Sequence, residues 1–163
     1  MRDCLQPIDV CVFTSHFHPH TGGVERFNQT LWPIFVKQGW HVALITCQTA
    51  EGLPSDSYEG IKVNRIRSIN LLGGQWPVPF PKDVSRAISF VKSQNHSFSC
   101  FVTNTRFYPL SFFAAKLSQK WQVPYVHIEH GSSYKVSTSQ AINLCCFLFD
   151  LLFGSYVVKR ATV

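Results

Sequence analysis

Five runs of apolar residues, each with the length of a β-strand, recur along the chain. They cover residues 8–14, 41–46, 61–67, 98–103 and 125–129. The first run is almost continuously apolar, which is typical of a parallel strand that is buried on both faces. Helical patterns separate the runs at about residues 23–38, 82–95 and 110–121. This alternation predicts an α/β fold, a Rossmann-like parallel sheet flanked by helices.

Two apolar segments fall outside this alternation. Residues 70–81 (NLLGGQWPVPFP) are rich in Gly and Pro, and we expect a loop that packs on a neighbour, a partner or a membrane. Residues 141–158 (AINLCCFLFDLLFGSYVV) approach the length of a membrane span, but Asp150 would be costly in lipid. A helix that is apolar nearly all round is more often buried against protein, so we expect packing here, with membrane contact as the alternative.

The position of the second apolar segment bears on the domain organisation. The sequence continues for only five residues beyond it, with no further strand pattern. We therefore expect residues 1–140 to form one Rossmann-like domain. Residues 141–163 are expected to form a helix that leads towards a second domain outside this sequence.

Composition narrows the classes of partner and compartment. Of 163 residues, 45% are hydrophobic and 15% charged, which favours a folded core over disorder. Fifteen Lys and Arg against nine Asp and Glu give a net charge of +6, which suits phosphorylated or acidic partners. No dense Lys/Arg run occurs, so nucleic acid is not expected as a partner. The six cysteines form no CxxC pair and the first residues lack an apolar signal core, which predicts a cytoplasmic location with buried free thiols.

Residues 15–25 (SHFHPHTGGVE), between the first strand and the first helix, are the strongest candidate for a binding site. Ligands of open parallel sheets bind outside the carboxyl ends of the strands. Gly22 and Gly23 leave the backbone accessible to a ligand, and the start of the following helix favours a phosphate. The glycines could equally serve a tight turn, since no phosphate-loop pattern surrounds them. Glu25 is expected to cap the helix rather than to act as an acid or base.

The histidines of the same segment allow a second interpretation. His16, His18 and His20 alternate, as do metal ligands at the strand ends of some hydrolases. Further ligands would have to come from later strands, and the fifth strand does end in HIEHG. A metal-hydrolase barrel needs about 250 residues, however. A metal-dependent hydrolase is therefore the weaker alternative, and we expect no bound metal.

Two later strand ends carry further candidates. His130, before Gly131, could bond a substrate hydroxyl or phosphate, or be a surface histidine. Arg106 follows the fourth strand and could bind a carboxylate or phosphate through its planar guanidinium. It could equally cap a helix or be solvated. We assign acceptor contacts to Arg106 and His20.

Several motifs together resemble a known family. FHPHTGGVERF after the first strand and VPYVHIEHGSSY around the fifth resemble the amino-terminal domain of family-4 retaining glycosyltransferases of the GT-B class. QGWHVALIT and TNTRFYPLSFFAAKLSQKWQVPYV follow in the order of that domain, so the resemblance covers residues 8–161. It implies two Rossmann-like domains that face a cleft, the first holding the acceptor and the second a nucleotide-sugar.

The resemblance also implies roles for single residues. Gly22 and Gly23 would let the diphosphate and the reacting sugar of the donor approach, and His130 would be the catalytic residue beside the reaction centre. The donor is expected to be a UDP- or GDP-sugar and the acceptor a carbohydrate or a lipid-linked sugar. Transfer would retain the anomeric configuration and need no metal or other cofactor. Since the donor-domain residues are not in this sequence, we expect the chain alone to be inactive.

A function of a different class stays open beside this one. The chain could be a non-catalytic interaction module that docks on a partner chain through residues 70–81 and the apolar helix. The partner would then supply the donor domain. In either case we expect a cytoplasmic protein, with peripheral contact at the cytoplasmic face of a membrane.

Overall fold

A six-stranded, mostly parallel sheet forms the centre of the computed structural model, which describes residues 9–48, 56–93, 98–131 and 139–161. The strands are β1 (Asp9–Thr14), β2 (His41–Cys47), β3 (Asp56–Tyr58), β4 (Ile61–Ile66), β5 (Ser68–Leu71), β6 (Trp76–Pro79), β7 (Phe98–Asn104) and β8 (Tyr125–Ile128). The helices are α1 (Gly23–Lys37), α2 (Pro81–Ser93), α3 (Pro109–Trp121), α4 (Gln140–Phe149) and α5 (Ser155–Arg160). Residues 8 and 94–95, predicted to belong to a strand and a helix, and Cys4 lie outside the described ranges.

The strand order in the central sheet is β3-β4-β2-β1-β7-β8. β1 pairs in parallel with β2 and β7, β2 with β4, and β7 with β8, so the predicted α/β fold is confirmed. β3, which the sequence did not predict, is a three-residue antiparallel strand at one edge. The chain leaves β1 towards β2 on one side and later returns to β7 on the other, which makes the β1–β7 boundary the point where ligands of open sheets bind.

Side chains alternate across β1 and build a core on each face of the sheet. Val10 and Val12 pack with Trp32 on the side of α1, whereas Cys11 and Phe13 pack on the side of α2 and α3. All four β1 side chains are at most 1% exposed. β1 is therefore buried on both faces, as its nearly continuous apolar sequence predicts.

Residues 70–81 contain more regular structure than the predicted loop. β5 and β6 pair as an antiparallel hairpin, in which Leu71 faces Trp76. Sequence patterning missed the hairpin because two prolines in β6 resemble loop residues, although an edge strand tolerates them. The indole Nε1 of Trp76 donates to the Phe107 carbonyl at 2.8 Å, so the hairpin is fastened to the loop after β7. Leu71, Leu72 and Phe80 are exposed, whereas Trp76 is half-buried.

The apolar segment near the carboxyl end is one continuous helical stretch with two different halves. None of the α4 residues is buried, which corrects the expectation that the whole segment packs against protein. A π-helical turn, Asp150–Gly154, follows, and then α5, in which Val157 is fully buried against the core. The start of α4 at Gln140 falls at the proposed boundary between residues 1–140 and 141–163, and that division stays a prediction.

Candidate functional site

A cleft of about 280 Å³ opens at the carboxyl ends of β7 and β8 and reaches the start of α1. Its wall combines residues from five parts of the fold: Val24, Leu72, Trp76, Thr105, Phe107, Tyr108, Glu129, His130, Gly131, Cys146 and Phe149. The cleft therefore lies at the β1–β7 boundary, where the sheet topology favours ligand binding. Val24 and His130 share it, so the structure brings the glycine turn and the end of β8 together.

Gly22 and Gly23 differ in what surrounds them. Gly22 has an extended backbone, and a Cβ at this position would collide with the Glu25 carboxylate. A larger residue at position 22 would therefore have to displace this carboxylate. A Cβ on Gly23, the first residue of α1, would meet nothing within 4 Å. Gly23 accordingly leaves open space at the amino end of the helix, where free N–H groups and the helix dipole attract anions.

Glu25 is buried beneath the glycine turn and pairs with a histidine. Its Oε1 lies 3.2 Å from Nδ1 of His20, whose side chain is 48% exposed. Burial first, and then the charge of Glu25, raise the pKa of Tyr108 in the cleft wall, so this carboxylate acts electrostatically on the cleft. His20 lies in the loop between β1 and α1, paired with Glu25, and its contact with the acceptor stays a prediction.

The histidine-rich segment places three potential metal ligands near one another. Ligand atoms of His16, His20 and Glu25 lie within 4.8 Å of one another, the only such group among the described residues. The imidazoles of His16 and His20 stack with centroids 4.5 Å apart and only 23° between their planes. Because imidazole lone pairs lie in the ring plane, stacked rings direct them side by side rather than at one ion. His18 stands apart, against Tyr58.

His130 is held in the cleft by two contacts. Its Nε2 lies 2.8 Å from Oδ1 of Asn104, at the end of β7, and its ring packs edge-to-face with that of Phe27 in α1, with the ring centroids 4.6 Å apart. Partial burial lowers the pKa of His130, and His127 lowers it further, while the Glu129 and Glu25 charges oppose this. The lowered pKa favours the neutral imidazole around pH 7, and the side chain lines the cleft. Its catalytic role stays a prediction.

Arg106 is engaged by carboxylates instead of facing the cleft. Its Nη1 lies 2.9 Å from Oε2 of Glu129, and its Nε donates to Oδ1 of Asp150 at 2.8 Å. Burial alone would raise the pKa of Glu129, but hydrogen bonds from His127 and from the Arg106 backbone and guanidinium lower it to about 2. The guanidinium thus ties β8 to the carboxyl-terminal helical stretch. Acceptor binding by Arg106 stays a prediction, and it would require exchange of these partners.

Comparison with known proteins identifies the family. The glycosyl transferase 4-like domain matches residues 22–163. The chain belongs to this glycosyltransferase family. An uncharacterised glycosyltransferase of Methanocaldococcus jannaschii is 23% identical over 166 residues, which cover 96% of this chain and 41% of that protein.

One solved structure shares the fold of this glycosyltransferase domain. Sucrose-phosphate synthase of Thermosynechococcus elongatus superposes with a TM-score of 0.53 at 14% identity, over 86% of this chain and 39% of that one. A UDP-glucose:anthocyanidin 3-O-glucosyltransferase in complex with UDP superposes with a TM-score of 0.47 at 14% identity. The superposition covers 76% of this chain and 30% of that one. The resemblance to one domain of GT-B glycosyltransferases is confirmed. The chain spans about 40% of the length of the first two of these proteins.

Beyond the motifs, the glycosyltransferase domain has an extended apolar surface. A second groove of about 320 Å³ lies between the hairpin and α4 and shares Leu72, Trp76 and Cys146 with the cleft. Residues 140–160 form one helical stretch that is long and apolar enough to cross a membrane. Its most apolar 18 residues have a mean hydropathy of 1.9, and only 11% of them are buried. Leu144 and Leu152 are 58% and 64% exposed. Cys145 is also exposed, which corrects the expectation that all the cysteines are buried.

Three residues that support the site received no role in it from the sequence. Asn104 ends β7 and bonds His130, Asn28 lies one turn into α1, and Asp150 receives Arg106. The signal for Asp150 was present, because a single carboxylate in an otherwise apolar run needs a partner when it is buried. Asn104 follows a strand on the ligand side of the sheet, but its contact with Asn28 could not be predicted locally because the two asparagines are 76 residues apart in sequence.

Proposed function

We propose that this chain is the acceptor-side half of a retaining glycosyltransferase that transfers a sugar from a nucleotide-sugar to a carbohydrate or lipid-linked acceptor. The observation that carries the proposal is the meeting of the glycine turn and His130 in one cleft at the β1–β7 boundary. Family membership supports glycosyl transfer as the chemistry.

The donor is a UDP- or GDP-sugar whose diphosphate approaches Gly22 and Gly23. The open space above Gly23 and the amino end of α1 support this placement, because backbone N–H groups there are directed at an incoming anion. His130 contacts the transferred sugar. No step draws on a metal ion or a cofactor.

The acceptor is best matched by a lipid-linked sugar. The cleft wall is mostly apolar and continues into the groove beside α4, while Glu129 and His130 supply the polar groups at one end. A sugar with a hydrocarbon anchor needs this combination of surfaces, whereas a soluble carbohydrate needs only the polar end. The exposed leucines of α4 would meet the membrane peripherally, with the basic residues Lys159 and Arg160 near its headgroups.

The donor-binding domain of the proposed enzyme lies outside these 163 residues. The chain spans about two fifths of the length of its relatives. The donor-binding domain would be supplied by a longer polypeptide or by a partner chain. The exposed apolar face also supports the second candidate, a non-catalytic module that docks on such a partner.

A transfer assay on the polypeptide purified from its source tests the proposal. Its intact mass is measured first, and radiolabelled UDP- and GDP-sugars are then offered with soluble and lipid-linked acceptors. We expect transfer to the lipid-linked class, an α-linked product from an α-linked donor, and unchanged activity in EDTA. Sedimentation with anionic vesicles should carry the protein into the pellet. A source polypeptide that binds a partner chain but transfers no sugar would favour the docking module.

Replacing Gly23 by Ala should weaken donor binding without harming the fold. The new methyl group has free space in the protein, and alanine suits a helix better than glycine. It would occupy the space that the diphosphate needs, and we expect the dissociation constant of the donor to rise about tenfold. Calorimetric titration of the source enzyme measures this.

Gly22→Ala is the matched control for this prediction. Its methyl group would displace the buried Glu25 carboxylate from its contact with His20, so this variant should lose thermal stability, which Gly23→Ala should not. Donor affinity that is unaltered in Gly23→Ala would remove the glycine turn from the donor site.

A further inference from the structure

A chain of hydrogen bonds runs from the interior of α1 to His130. Nε1 of Trp32 donates to Oδ1 of Asn28 at 2.7 Å, and Nδ2 of Asn104 donates to the same oxygen at 3.2 Å. Oδ1 of Asn104 then faces Nε2 of His130 at 2.8 Å. Trp32, Asn28 and Asn104 are 4%, 0% and 1% exposed, so water cannot readily replace these contacts.

Each of these three hydrogen bonds can have only one donor and one acceptor. An indole N–H can only donate, so the Asn28 atom that faces it is the oxygen, and Nδ2 of Asn28 is in turn occupied by the Val24 carbonyl at 2.8 Å. The Asn104 group that meets this oxygen is therefore NH₂, which leaves the Asn104 oxygen for His130. Inverting the Asn28 amide would bury its NH₂ against the indole N–H, and inverting the Asn104 amide would bury its oxygen against the Asn28 oxygen. Each unsatisfied group would cost about 1–3 kcal/mol.

We infer that Trp32, Asn28 and Asn104 are positioning residues that fix the proton of neutral His130 on Nε2, so that Nδ1 accepts a hydrogen bond from a sugar hydroxyl. The inference rests on the proposed function for the identity of the ligand. His130 would then bind an uncharged sugar hydroxyl, which donates the hydrogen bond. The diphosphate would bind at another part of the site, because the lone pair on Nδ1 repels an anion. Glu129, Glu25 and His127 are the titratable groups that act on this imidazole, and partial burial favours its neutral form.

Histidine tautomers are read directly from ¹⁵N chemical shifts and long-range ¹⁵N–¹H couplings of the chain without substrate. Wild-type His130 should carry its proton on Nε2. Free histidine prefers the same tautomer, so the decisive measurement is the change in variants. Asn28→Leu removes the oxygen that orients Asn104, and the population of the Nδ1–H tautomer of His130 should rise several-fold. Thr46→Val, a similar change at another fully buried polar residue, should leave the His130 signals unaltered.

Asn104→Asp provides an independent test that does not need the first variant to fold. A carboxylate at 2.8 Å from Nε2 should raise the midpoint of the His130 titration by at least about one pH unit. Three results would each overturn the inference that these residues fix the His130 tautomer. They are an unaltered tautomer in Asn28→Leu, an unaltered titration midpoint in Asn104→Asp, and an Nδ1–H tautomer in the wild type.

Pyrophosphate distinguishes the hydroxyl from the phosphate as the ligand of His130. If His130 accepts from a hydroxyl, saturating pyrophosphate should leave the imidazole neutral at pH 7. Conversion to the imidazolium would show a phosphate ligand and overturn that assignment. These measurements need no transfer, so a failed transfer assay beside a positive tautomer result would count against the proposed function alone.

Discussion

His130→Ala should lower the turnover number of the source enzyme about 100-fold while the protein stays folded. In the proposed reaction the imidazole contacts the transferred sugar, and removing one preorganised hydrogen-bonding group from a reaction centre typically costs this much. The fold should tolerate the change because His130 is only partly buried at the wall of the open cleft and belongs to neither core cluster. Steady-state kinetics and thermal unfolding of the same preparations measure both effects.

His41→Ala is a suitable control for this prediction. His41 is also a partly exposed histidine paired with a neighbouring polar group, since its Nδ1 lies 3.1 Å from Asp9. It begins β2 and therefore lies at the opposite end of the sheet from the cleft. Its replacement should leave turnover unchanged. If both variants turned over sugar like the wild type, His130 would have no part in the reaction.

The sequence was sufficient to locate the cleft, for reasons visible in β1 and β8. Buried parallel strands need apolar side chains on both faces, so their runs and ends can be recognised without knowledge of the fold. Side chains and backbone in the loop after such an end lie on the ligand side of the sheet, as do Gly22 and Gly23 in the loop after β1 and His130 after β8. Local pattern and topology coincide at these residues.

The contacts that complete the site depend on distant parts of the chain and could not be predicted in this way. Asn28 and Asn104 meet across 76 residues, and Arg106 reaches Asp150 across 44. The polar DSY of β3 has no strand pattern, because an edge strand derives its stability from pairing with β4. Arg106 illustrates the problem best. A planar cation at a strand end is equally suited to a ligand and to a protein carboxylate, and only the fold shows which one is near.

That arginine leads to the prediction with the largest effect on stability. Arg106→Met should lower the free energy of unfolding by about 2–3 kcal/mol, because it leaves two largely buried carboxylates without their cation. The side chains of Arg106, Glu129 and Asp150 are only 16%, 25% and 12% exposed. Methionine retains most of the apolar stem, so the loss reports the charge. Urea unfolding of the 163-residue chain measures it.

Arg67→Met is the matched control, since Nε of Arg67 also donates to a carboxylate, that of Asp83, at 2.7 Å. Its side chain is 71% exposed, so solvent screens the pair and stability should not change measurably. Equal losses in the two variants would show that burial does not strengthen the Arg106 cluster.

The pH dependence of stability should separate the two variants as well. The pKa of Glu129 lies at about 2 in the folded protein, below its ordinary value of 4.5, so its ionised form stabilises the fold above pH 4.5. That contribution is lost as the pH falls from 4.5 towards 2. In Arg106→Met the pKa should return towards its ordinary value, because the guanidinium and its charge are gone, and the acid-dependent loss should shrink. Arg106 is expected to hold the apolar helical stretch on the domain through Glu129 and Asp150. If the free energy of unfolding of Arg106→Met fell between pH 5 and pH 2 as steeply as that of the wild type, this role would be contradicted.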